Sequence, residues 1–136
     1  MTEVAIVYPL LPGKREALNT FTRTLMNERK DDHSASHTSV FAERWFLQAT
    51  PMGELVVVYL KTPDPIEVFA NLAVSQDPFV VWFRANVLDI TGVNLASLPP
   101  FALPECVFHA DRDTGLPSDR NFEAREPEIA EELYHA

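Results

Sequence analysis

The sequence predicts an α+β fold on the ferredoxin-like βαββαβ plan, a four-stranded antiparallel sheet with helices on one face. Three observations predict it. A strand-like run at residues 4–8 precedes a long helical pattern. A hairpin joins residues 40–50 to residues 54–61. Two helices with matching start signals then lead to a last short apolar run at 105–108.

The first strand, Val4-Ala5-Ile6-Val7-Tyr8, is stopped by Pro9 and the Pro12-Gly13 turn. From Lys14 to about Ser36 the spacing predicts one long helix. Leu18, Phe21, Leu25 and Met26 form its apolar stripe, and residues 27–37 are polar, predicting a projecting or frayed end. In the hairpin, Pro51-Met52-Gly53 makes the turn. Its second arm does not alternate, since Leu55 through Leu60 is unbroken apolar. A sheet with one wet face alternates, so both faces here want cover. Asp64 is a good helix N-cap, with Pro65 at the first helical position and Glu67 completing a capping box. That helix runs to about Ser75, with Ile66, Phe69, Leu72 and Ala73 inward. Asp77-Pro78 repeats the signal for a second helix to about Thr91, with Gly92 as C-cap. Residues 105–108 predict an edge strand.

Composition narrows the function classes. A chain of 136 residues makes one domain, expected over 1–109, with an acidic tail over 110–136. The tail holds eight acids against three arginines, predicting disorder or a peripheral helix at 128–134. The net charge of -9 argues against nucleic acid and anionic membrane surfaces. The single Cys106 excludes an internal disulfide and sits in an apolar run, predicting a buried, inert thiol. No basic leader or membrane-length apolar stretch is present, so the expected location is the cytoplasm. Gly-rich phosphate loops, Gly-x-Ser-x-Gly elbows and Cys-x-x-Cys pairs are absent, and the expectation is no cofactor.

Leu11-Pro-Gly-Lys-Arg-Glu-Ala-Leu18 after a first strand, a hairpin with Trp45 in its first arm and a late aromatic helix together resemble the dimeric α+β barrel superfamily. Antibiotic-biosynthesis monooxygenases and EthD-type proteins belong there. The resemblance covers residues 4–108 and is one of plan rather than of a catalytic motif. It implies two sheets packed face to face in a homodimer, with room in each half for a small apolar ligand. That would cover the second face of the hairpin. Monooxygenases of the superfamily pair the hairpin tryptophan with an Asn; here Asn19 and Asn71 fall on helices.

Strand parity sorts the candidate site residues. Arg44, Phe46, Gln48 and Thr50 share one face, and Glu43, Trp45, Leu47 and Ala49 the other. With Trp45 and Leu47 on the helix side, Arg44 and Gln48 point into the barrel. Arg44 is then a candidate oxyanion partner and Gln48 an orienting donor, or both are seam contacts between subunits. His33 and His37 stand four apart, a spacing that binds transition metals when a third ligand such as Asp32 or His109 joins. Their polar surroundings predict surface histidines and no metal site; either could serve as a general base. Tyr8 and Tyr59 are candidate ligand donors on central strands, and Trp82 a candidate pocket wall. The alternative for each is an aromatic core residue.

The leading expectation is a homodimer that binds a small apolar or aromatic molecule, as a cofactor-independent enzyme of monooxygenase or cyclase type on an aromatic or polyketide-like substrate. The rival is a non-catalytic interaction or stress-type protein with a filled barrel. The sequence leaves open whether the chain is an enzyme.

Overall fold

The computed structural model describes residues 1–97 and 103–112. The chain divides into two units, Met1–Glu105 and Cys106–Ala136. The first contains β1 (Thr2–Pro9), α1 (Arg15–Met26), α2 (Lys30–Ser36), β2 (Ala42–Thr50), β3 (Gly53–Thr62), α3 (Pro65–Val74) and α4 (Pro78–Thr91). A 3-10 turn at Leu95–Ser97 follows.

The class is α+β, but the sheet has three strands in the order β1-β3-β2, all antiparallel. The four-stranded βαββαβ plan is thus corrected, and with it the dimeric barrel built from four-stranded sheets. Residues 105–108 form no strand. Val107 and Phe108 are almost fully exposed, and so short an apolar run without burial is not held as a strand. Cys106 is exposed as well, not buried. The helix expected at 128–134 lies outside the described residues.

β3 is the central strand, which explains its unbroken apolar run. Val56, Val58 and Leu60 face the helices beside Ile6, Tyr8, Trp45 and Leu47. Leu55, Val57 and Tyr59 face the other way, beside Val7 and Phe46. Val7 and Phe46 are 55% and 54% exposed, so among the described residues nothing covers this second face. Tyr59 is central as expected, whereas Tyr8 sits on an edge strand.

Helices seal the first face. Leu18 and Phe21 from α1, Val68 and Leu72 from α3, and Phe79, Phe83, Val87 and Ile90 from α4 are buried against it. Ile66, expected inward on α3, is exposed. The Asp64 carboxylate caps α3 by accepting from the Glu67 N–H at 3.2 Å. Asp77 makes no such bond at the start of α4. Gly92 ends α4 at φ 76°, a conformation glycine adopts without strain.

The expected single helix over 14–36 is two. The Glu28 and Arg29 N–H groups both bond the Thr24 carbonyl, and this closes α1 before α2 starts. Arg29 then lies over the rings of Phe79 and Trp82, 5.0 and 4.9 Å from their centroids. The break turns the polar segment back over the core instead of letting it project.

Candidate functional site

The turn between α1 and α2 has a chemical consequence. His33 on α2 and His37 at its C-cap are four residues apart, and their rings stack at 4.0 Å. They lean on the aromatic core, with His37 edge-on to Phe83 at 5.3 Å. His37 is buried, contrary to the expectation of two surface histidines. The loop that follows is pinned by buried Thr62, whose hydroxyl donates to the Ser39 carbonyl at 2.8 Å.

Across from α2, β2 places Glu43 on the helix-facing side, in the same parity as Trp45 and Leu47. Its side chain is only 11% exposed. The Glu43 Oε1 lies 3.1 Å from His33 Nε2. Its Oε2 accepts from the Trp45 indole N–H at 2.7 Å. Each carboxylate oxygen therefore has its own donor, as burial of a charge requires. On the far ring, His37 Nδ1 lies 3.1 Å from the His33 carbonyl and 2.7 Å from Ser36 Oγ. A carbonyl only accepts, so the network assigns the proton of His37 to Nδ1.

The electrostatics follow from this packing. Burial alone would push the Glu43 carboxyl up. The His33 hydrogen bond, the charges of His33 and His37 and the Trp45 bond outweigh it and hold the carboxyl below the usual carboxylate range. Burial lowers His37 below an ordinary imidazole, and His33 adds to this. The Glu43 charge and the backbone bond to His33 oppose it without reversing it. Burial, with help from the Glu43 charge, pushes Tyr8 up to about 12.

Four of these groups line a cavity of about 30 Å³ between the sheet and its helices, and His33 backs it through Glu43. Tyr8, His37, Glu43 and Trp45 meet there, and Val58, Phe69, Leu72 and Phe83 are among its apolar walls. The volume suffices for one or two water molecules. A mainly apolar space with a few convergent polar groups is the usual form of a small-molecule site.

The expected site residues fall into three places. His37 and Tyr8 line this cavity, and His33 joins them through Glu43. Arg44, Gln48 and Tyr59 lie on the opposite, open face of the sheet: the Arg44 guanidinium is 5.4 Å from the Tyr59 ring centre, and the Tyr59 hydroxyl donates to Glu3. Gln48 donates to the Ala49 carbonyl at 2.9 Å. Trp82 borders a separate open groove with Arg29, Glu28 and Asn86. His109 is paired with Asp111 at 2.6 Å. Asp32, paired with Arg29 at 2.7 Å, supplies no third group to the histidine pair. Sequence reasoning missed Glu43, which does. An acid sharing parity with Trp45 and Leu47 was the signal available.

Among the described residues, no helix is long and apolar enough to cross a membrane. Comparison with known proteins finds no family model, no curated protein and no solved structure that this chain matches.

Proposed function

We propose that this chain binds a small, largely apolar molecule at the cavity beneath its sheet, with Glu43, His33 and His37 as the end that orients it and handles a proton. The observation that carries this reading is the nearly buried Glu43 carboxylate, held by His33 and Trp45 on the wall of a mainly apolar cavity. Perturbed titratable groups gathered at a cavity are where binding and acid–base chemistry concentrate. The cavity is small, so an organic ligand enters only by displacing some of the side chains that line it.

The test is an amide chemical-shift screen with small phenols and short aliphatic acids as probes. The proposal expects perturbations centred on Tyr8, Glu43, Trp45 and Leu72, weakened in Glu43→Gln. Shifts confined to the open sheet face, or none from either class, contradict it.

A second element of the reading concerns the uncovered face. Val7, Phe46, Leu55 and Val57 form an apolar centre, rimmed by Glu3, Arg44, Gln48 and Lys61. An apolar centre with a polar rim is the anatomy of an interface. A second copy related by a two-fold axis along β3 would set the β1 of one copy over the β2 of its partner, making the patch self-complementary. Light scattering on the full chain tests this: a dimer that Phe46→Asp converts to a monomer supports it, and a monomeric wild type at high micromolar concentration removes it.

A further inference from the structure

The same three side chains have the makings of a metal centre. His33, His37 and Glu43 each offer a ligand atom, and these atoms all lie within 4.8 Å of one another. We propose that they bind a divalent first-row transition ion, of the class that zinc and cobalt represent. The inference shares its residues with the site proposed above but needs no organic ligand.

Geometry carries the argument. Two ligands held at about 2.1 Å from one ion, at roughly 90–110° to each other, are about 3.0–3.4 Å apart. His33 Nε2 and Glu43 Oε1 already stand at 3.1 Å. His33 lies on α2 and His37 caps its C-terminus, with its N–H bonded to the His33 carbonyl at 3.0 Å, so the backbone presets their spacing. Outer contacts are in place too. Metal-bound imidazoles usually donate their other N–H to a carbonyl or carboxylate, and His37 Nδ1 does so to the His33 carbonyl. This leaves His37 Nε2 for coordination. The second oxygen of Glu43 is anchored by the Trp45 indole, as a ligating carboxylate should be.

The donor set selects the ion. Two imidazoles and one carboxylate suit transition ions rather than calcium or magnesium, which prefer oxygen. Three protein ligands leave positions open, and the adjoining cavity has room for one or two waters to fill them. Coordination at His33 Nε2 would replace its hydrogen bond to Glu43, with the ring proton carried on Nδ1.

The test uses untagged, full-length protein treated with a chelator and titrated with Zn²⁺ by calorimetry, and with Co²⁺ by visible absorption. The expected result is one equivalent bound, a cobalt spectrum with visible bands, and at least a tenfold loss of affinity in His33→Asn and in Glu43→Gln, with no change in His109→Asn. Circular dichroism checks the fold of each variant. A measurement on the wild type stands apart from any variant: sub-stoichiometric Co²⁺ should first perturb the amide signals of residues 33–37 and 43. No stoichiometric uptake, undiminished affinity in both site variants, or perturbation centred on the acidic residues beyond 110 overturns the proposal. Because no organic probe is present, failure here is distinct from failure of the phenol and acid screen.

Discussion

Glu43 on β2 and His33 on α2 meet at 3.1 Å, ten residues apart in the chain, with the Trp45 indole holding the carboxylate from its other side. The pair ties a short helix of seven residues, too short to be stable alone, to the edge strand of the sheet. Glu43→Gln keeps the shape but removes the charge that His33 and Trp45 answer. The expected cost is about 1–3 kcal/mol in urea unfolding. A variant as stable as wild type would show that the carboxylate is not engaged as described.

Stability should fall towards acid for two reasons, measured with a chelator present. His37 has its pKa lowered from 6.5, so below that pH the unfolded chain takes up this proton more readily and stability drops. Glu43 has its pKa lowered from 4.5, so its contribution is present above that pH and is lost as pH falls through the lower folded value. Towards alkali the sign reverses. Tyr8 is raised from 10.0 to about 12, so the unfolded chain ionises first and stability declines across that interval. The full alkaline loss is on the order of 2–3 kcal/mol, and Tyr8→Phe should abolish it. Chemical denaturation across pH checks all three.

The two faces of the sheet should answer mutation differently. Phe83 touches Phe21, Trp45, Phe79 and both histidines, and it is buried. Phe83→Ala should cost about 3–5 kcal/mol. Phe46→Ala on the open face should stay within about 0.5 kcal/mol in a monomer. If copies associate through that face, its cost instead grows with protein concentration. Urea midpoints at two concentrations separate these outcomes.

Gly92 offers a backbone test. A methyl group there would meet Leu11 at 3.6 Å, an ordinary contact, so space is not the obstacle. The obstacle is φ 76°. Gly92→Ala should cost about 1–2 kcal/mol by thermal unfolding, from backbone conformation alone.

Much of the fold was legible because the signals were local. Asp64 and Glu67 marked the start of α3, Gly92 the end of α4, and hairpin parity placed Trp45 and Leu47 under the helices. The misses needed tertiary contacts. Hydrophobic periodicity is blind to residues 27–37, where burial is achieved by imidazoles and by Arg29 lying on aromatic rings rather than by aliphatic side chains. That blindness hid both the break after α1 and the burial of His37. Glu43 was placed on the correct face, but its partner was ten residues away across a turn no spacing rule describes. The fourth strand failed because a short apolar run specifies a strand only where a neighbour exists to pair with it.

The account turns on Glu43, His33 and His37 forming one connected group. The most direct measurement is the imidazole nitrogen spectrum of chelator-treated protein, recorded for wild type and Glu43→Gln. The account predicts a neutral His37 protonated at Nδ1 at neutral pH, and His33 ring signals that move when Glu43 loses its charge. A His37 that is charged at neutral pH, together with His33 signals that ignore the Glu43 substitution, would contradict it.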